Sequence, residues 1–294
     1  MNNLEEYVEK MGCTKKVSQA NEALIATAEA RLGVTFGPQL REYFLKYGGL
    51  CYESEEFFSL STKESINSSV ISETETAKNE GARLDGFVVI YHIEDWGYAL
   101  VDSEDNIYEQ AYACSDPPVP TGKKLNEYIK CVFDEERTRR KEFMERSAFE
   151  DYVKAHISLP PDSERAAESV LCRAKKILGM EYNFDIECYL REYSLISYGN
   201  VHLCGLLKAL GDYPNIVVET IKMRQKYPQT ENLVTTEVLE NEKYVVTDDD
   251  GKILIFDGEK GEAYPTHKSF SKYYLERFEE EQKRMGKGPL LVRQ

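Results

Sequence analysis

No stretch of this chain approaches the ~18 consecutive apolar residues of a membrane-spanning helix, so no transmembrane segment and no membrane partner is expected. Its opening, MNNLEEYVEK, is acidic and lacks the apolar core of a secretory signal. Positive charge is short: 37 Lys and Arg stand against 52 Asp and Glu, a formal net charge of −15. Such a chain repels phosphate backbones, which argues against nucleic acid and for a basic protein partner, or for simple solubility. Cysteine is sparse and odd in number, seven in all, with no Cys-x-x-Cys. That excludes a disulfide framework and a zinc knuckle and points to the reducing cytoplasm. Cys131, Cys172 and Cys188 sit near helical apolar positions and read as small core residues.

Catalytic signatures are missing as well. The four histidines include no His-x-x-x-His or His-Glu-x-x-His spacing, so zinc chemistry has no ligand set. There is no Gly-x-Ser-x-Gly, no phosphate-binding Gly-x-x-x-x-Gly-Lys and no Gly-x-Gly-x-x-Gly. His92-Ile93-Glu94-Asp95 reads as strand alternation rather than a metal site. Asp248-Asp249-Asp250-Gly251 lacks the alternating ligands and final Glu of a calcium loop and reads as a turn. No catalytic residue, no metal and no cofactor is expected.

What is present is globular: 41% hydrophobic residues, with 20 Tyr and 12 Phe. At about 150 residues per domain, 294 residues fit two domains. The halves repeat. At an offset of 146, Leu32-Gly33 falls on Leu178-Gly179, Tyr43 on Tyr189, Tyr47 on Tyr193, Val88 on Val234, Tyr98 on Tyr244 and Asp102 on Asp248. Near the ends the offset becomes 145, where Leu125, Tyr128 and Phe133 meet Phe270, Tyr273 and Phe278. The expected domains are 1–140 and 147–294, joined by a charged stretch without Gly or Pro that reads as a continuing helix.

Each half reads as helix, helix, strands, helix. Leu24, Ala28 and Leu32, and later Val170, Ala174 and Leu178, recur at helical spacing, and Gly33 and Gly179 follow as C-caps. A second helix carries Leu40, Tyr43, Phe44 and Tyr47, matched by Ile186, Tyr189, Leu190 and Tyr193. These tyrosines read as packing residues. The β-branched run Phe87 to Tyr91 precedes a hairpin from Trp96 to Tyr112, and Asp250-Gly251 marks the same turn in the second half. Strands joined by short turns predict an α+β class, two related domains each with an antiparallel sheet packed by N-terminal and C-terminal helices.

The run Ala28-Glu29-Ala30-Arg31-Leu32-Gly33-Val34-Thr35-Phe36, then Pro38 to Gly49, resembles the opening of the SUKH superfamily's Smi/Knr-type domain. Trp96 to Asp102 with Asn106-Ile107-Tyr108 is similar to its central hairpin, and Leu125-Asn126-Glu127-Tyr128-Ile129 to its terminal helix. The second half diverges: Gly48-Gly49 becomes Ser194-Leu195 and the proline is absent. The resemblance implies a non-catalytic binding protein. Bacterial members act as immunity proteins that neutralise polymorphic or contact-dependent toxins, often nucleases or deaminases, so the implied partner is a toxin domain. The alternatives are a regulatory or scaffolding module and an enzyme with a site at the domain junction.

Charge selects the candidate face. Residues 53–116 hold 3 basic and 15 acidic side chains, whereas 199–262 hold 7 and 12. Within the first span, Tyr52, Glu53, Glu55 and Glu56, then Glu94, Asp95 and Trp96, then Asp102, Glu104 and Asp105 form the expected partner-binding surface, an acidic mimic of phosphate with an aromatic anchor. The competing reading puts Trp96, the single tryptophan, in the core and the acids in solvated loops.

Overall fold

The computed structural model describes residues 4–15, 20–61, 69–112, 114, 116–159, 167–206 and 214–286. The chain divides into two compact units, Met1–Arg140 and Lys141–Gln294. Both are mixed α+β, with helices over small antiparallel sheets.

In the first unit, α1 (Leu4–Met11) and β1 (Thr14–Lys15) precede α2 (Glu22–Leu32). Asn21 caps the start of α2, and Gly33, at φ 70°, ends it in the left-handed conformation that a side chain resists. Next comes α3 (Pro38–Tyr47), which buries Leu40, Tyr43, Phe44 and Tyr47 along one stripe. Strand β2 (Leu50–Tyr52) pairs with β1 on one side and with β3 (Glu55–Phe57) on the other. Helix α4 (Val70–Asn79) leads into a four-stranded meander of β4 (Val88–Ile93), β5 (Gly97–Val101), β6 (Asn106–Ala111) and β7 (Val119–Lys124). The 32-residue α5 (Leu125–His156) begins in this unit and ends in the next. Both α1 and α4 are absent from the sequence expectation, α4 because of its composition. Its β-branched Val70, Ile71, Thr74 and Thr76 weaken the helical signal, yet Val70, Ile71, Thr74 and Ala77 are buried on one face and Ser69 caps it.

The second unit continues with α6 (Glu168–Leu178), α7 (Phe184–Glu192), β8 (Ser197–Tyr198), β9 (Val201–His202), α8 (Ile216–Lys226) and one 3-10 turn, Pro228–Thr230. A second meander follows, of β10 (Val234–Val238), β11 (Lys243–Thr247), β12 (Ile253–Asp257) and β13 (Glu262–Pro265), and then α9 (Phe270–Arg284). Among the described residues none of the seven cysteines is in a disulfide; Cys204 is buried. Cys131 and Cys188 are only half-buried and Cys172 is exposed, because it lies on the outer face of α6, so these three are not core residues.

Individual interactions inside one unit recur inside the other at the same spacing. Both meanders carry a bulge in the first strand, between Val89 and Tyr91 and between Thr235 and Glu237. Beside each bulge a helix threonine accepts a strand N–H: Val89 N donates to Thr74 Oγ1 at 2.9 Å, and Thr235 N to Thr220 Oγ1 at 3.0 Å. The Tyr43 hydroxyl donates to the Phe58 carbonyl at 3.3 Å, and that of Tyr189 to the Cys204 carbonyl at 3.2 Å. Each closing helix carries a Glu-x-x-Arg, Glu136 with Arg139 in α5 and Glu281 with Arg284 in α9. Glu136 accepts from Ser54 Oγ at 3.0 Å, and Glu281 from the backbone N–H of Asn200 at 2.7 Å. Arg284 holds the Glu281 carboxyl down to about 2. The last turns of α5, with Phe149 and Val153 buried, serve the second unit as α1, with Leu4 and Val8, serves the first. Tyr7 and Tyr152, 145 residues apart, each donate to a carbonyl of the closing helix, though not to equivalent ones: Lys130 at 3.1 Å and Phe278 at 3.2 Å.

The bulge contact makes a prediction. Thr74→Val and Thr220→Val keep shape but leave a buried N–H without its acceptor, so each is expected to cost about 1–3 kcal/mol. Urea unfolding checks this, followed by tryptophan fluorescence for the first unit and by circular dichroism for the second. Unchanged midpoints would contradict it.

Candidate partner-binding face

The turn between β4 and β5 consists of Glu94, Asp95 and Trp96. Glu94 sits at φ 43°, which swings the chain sharply out of β4. The Trp96 backbone is held from both sides, its N–H donating to the Ile93 carbonyl at 2.9 Å and its carbonyl accepting from Tyr112 N at 3.0 Å. Gly97 follows because a Cβ there would lie 2.1 Å from the Gln110 carbonyl oxygen of β6. A rigid backbone therefore presents the indole, which is 51% exposed. The core reading of Trp96 does not hold.

Behind this turn lies a carboxylate cluster organised by one arginine. Glu55 of β3, Glu94 of the turn and Glu136 of α5 all ion-pair with Arg139 of α5. Glu55 and Glu136 are buried, and Glu55 also accepts from the Tyr91 hydroxyl. Burial first, and then Glu55, push the Tyr91 phenol well above its ordinary pKa. The bonds to Glu136, and further those to Glu94 and Glu55, keep Arg139 firmly protonated. The neighbouring Arg140 pairs with Glu53, which turns between β2 and β3 at φ 55°. Depressions of about 390 and 350 Å³ flank Arg139 and share Glu55, Tyr91 and Glu94. His92 Nε2 lies 3.1 Å from Glu73 Oε2, out of line for a hydrogen bond, and its ring packs edge-on against Phe58 at 4.9 Å.

Of the expected surface residues, the structure brings Glu53, Glu55, Glu56, Glu94, Asp95 and Trp96 to one end of the first unit. Glu53, Glu94, Asp95 and Trp96 are exposed there. Tyr52 is half-buried and packs on Phe133, with ring centroids 5.6 Å apart. Glu55 faces inward. Asp102, Glu104 and Asp105 lie at the far end of β5, about 17 Å away for a five-residue strand. Two of those three are occupied in the fold. Asp102 accepts from Asn106 N, Asn106 Nδ2 and Glu104 N, bonds that outweigh burial and lower its pKa. Asp105 is buried and caps α3, accepting from Gln39 N at 2.8 Å and Leu40 N at 3.0 Å. Glu104 is exposed, away from the rest. Residues 62–68, 113 and 115 of the acidic span lie outside the described residues.

Sequence reasoning missed Glu136, Arg139, Arg140 and Tyr91. The available signal was the Glu-x-x-Arg spacing, Glu136 with Arg139 and Glu281 with Arg284, repeated at the offset of 145. Among the described residues, no group of three or more His, Cys, Asp or Glu is placed to hold a metal ion. No helix there is long and apolar enough to cross a membrane.

The first unit is thus a mixed α+β unit with an acidic, tryptophan-tipped end. Residues 1–111, from α1 to β6, match the SUKH_5 family model, described as SMI1-KNR4 cell-wall. The match does not extend into residues 112–294. No curated protein matches. Among solved structures, a protein from Pseudomonas syringae pv. tomato is similar over 39% of this chain and 88% of its own, at 15% identity and a TM-score of 0.33. A likeness that weak carries no argument.

Proposed function

We propose that the chain is a tandem of two SUKH-type domains that acts without catalysis, as an immunity protein neutralising a basic toxin domain by direct binding. Immunity proteins are members of the family matched by residues 1–111. The tandem reading is supported by the bulges, threonine contacts and Glu-x-x-Arg pairs that recur at offsets of 146 and 145. The binding reading rests on a single observation, an indole 51% exposed on a fixed turn beside Glu94, Asp95 and Glu53. An exposed tryptophan supplies a large area to bury in a partner's pocket, and surrounding carboxylates speed encounter with a basic cleft. Arg139 and Arg140 temper the local charge, so Asp95 and Trp96 at the tip contribute most to recognition.

The test is co-expression with each candidate toxin encoded near this gene. The wild-type chain is expected to bind it and restore growth, and Trp96→Ala to weaken the complex at least about tenfold, or 1.4 kcal/mol. Absence of both complex and protection with every genomically linked toxin overturns the proposal. A complex that forms without protection favours a regulatory module.

A further inference from the structure

We infer that the second unit holds a binding site for a small zwitterion of the α-amino-acid class, in a depression of about 470 Å³ where α6 ends and α7 begins. Three independent features of this depression converge on that ligand chemistry, and none of them depends on the partner proposed above.

The first is Tyr182. It lines the depression and is 6% exposed, yet its hydroxyl has no hydrogen-bond partner among the described residues. A buried O–H without a partner is costly and unusual. At the equivalent place, 146 residues earlier, the first unit has Phe36, a plain hydrocarbon ring packed 5.6 Å from Phe44. The second unit has therefore added one hydroxyl at a site where no described residue uses it.

The second is Arg224, which stands where the first unit has Lys78. Lys78 Nζ caps the end of α2 by donating to the Leu32 carbonyl at 3.1 Å. Arg224 keeps that duty, donating through Nη1 to the Leu178 carbonyl at 2.7 Å. Among the described residues its Nη2 meets only the Leu233 carbonyl at 3.2 Å and the thioether of Met180. A thioether is a weak acceptor, and no carboxylate lies within ion-pair distance of this half-buried guanidinium among the described residues. A desolvated guanidinium beside an unused phenol presents two donors to one carboxylate.

The third is the rim. Glu231 and Asp249 line the same depression, are exposed, and form no ion pair or hydrogen bond among the described residues. In the first unit the matching positions are Asp85 and Ser103, so one of the two rim carboxylates belongs to the second unit alone. A carboxylate held inside by Arg224 and Tyr182 leaves an adjacent ammonium facing Glu231 and Asp249. A lone anion would gain the inner contacts but meet repulsion at the rim, and a lone cation would face Arg224. Only a ligand with both charges satisfies the two halves. The volume leaves space for a side chain beyond the zwitterion.

The experiment is isothermal titration of the full-length chain with each of the common L-amino acids, with acetate and methylamine as single-charge controls. Saturable binding of at least one amino acid is expected, with neither control binding at the same concentration. Tyr182→Phe restores the first unit's residue, so it is expected to fold, and to lose affinity about tenfold. Glu231→Gln with Asp249→Asn is expected to weaken binding similarly. Binding of acetate as tight as that of the amino acid assigns a simple anion site and overturns the zwitterion. Absence of any binding, or affinity unchanged in Tyr182→Phe, overturns the site itself. Either failure leaves the toxin-binding proposal untouched, because that concerns the first unit.

Discussion

Arg139→Ala is expected to lower the stability of the first unit by about 2–3 kcal/mol, although the residue lies on the surface of a helix. The reason lies in what it leaves behind. Glu136 and Glu55 have side chains only 5% and 10% exposed, and both depend on this guanidinium for charge compensation. Removing one partner of a buried pair costs ~3–5 kcal/mol, because the other charge remains desolvated. The figure is reduced here because half of Arg139 faces water and screening weakens such pairs. Ser54 and Tyr91 continue to serve the two carboxylates, which also limits the loss. Glu55→Gln in the Arg139→Ala background is expected to recover part of the stability, since it removes a stranded charge. Trp96 is the sole tryptophan and reports this unit directly, so urea unfolding followed by its fluorescence checks both variants. Additive losses in the double variant would show that the cluster is not coupled.

A second large effect concerns one helix start that the two units solve in opposite ways. In the first, α3 has Gly37 as its N-cap, which offers no side chain, and Asp105 reaches in from the β5–β6 turn to take two of its N–H groups. A Cβ at position 37 would sit 2.3 Å from Asp105 Oδ1, so glycine is required while Asp105 is there. In the second, 146 residues on, the positions are exchanged. Asn183 is the N-cap and accepts from Ile186 N at 3.1 Å, and the turn carries Gly251, where a Cβ would come 3.2 Å from Asn183 Cγ. Gly37→Asn alone is expected to cost about 2–3 kcal/mol through overpacking against Asp105. Asp105→Gly alone costs about 1 kcal/mol, the value of a lost cap offset by relief at its φ of 64°. The double variant reproduces the second unit's solution and is expected to lie within ~1 kcal/mol of wild type, a coupling opposite in sign to the single losses. A double variant as weak as the sum of the two would contradict the exchange.

Much of the fold could be read beforehand because it rests on local periodicity and caps. Leu40, Tyr43, Phe44 and Tyr47 lie on one helical stripe, and Gly33 and Gly179 both adopt positive φ. What escaped detection was tertiary. The helix Val70–Asn79 is rich in β-branched residues and reads locally as strand or loop; burial of Thr74 against the bulge at Val89 settles it as helix. The candidate face was half legible. Glu94, Asp95 and Trp96 are contiguous and emerge together. Asp105, in the next turn and an equally acidic one, is an internal cap because its partner amides, at Gln39 and Leu40, lie more than 60 residues away in sequence. Composition counts charges but does not say which are already matched, and Arg139 and Arg140 match three of them, Glu53, Glu55 and Glu94, from a helix outside the acidic span.

The most direct measurement of partner binding by the first unit is hydrogen exchange of the full chain, alone and with its genomically linked toxin. Slowed exchange at residues 53–56 and 94–96 on complex formation is the predicted result. Protection confined to residues 141–294, or to the turn at 102–105, with 94–96 unchanged, would contradict it.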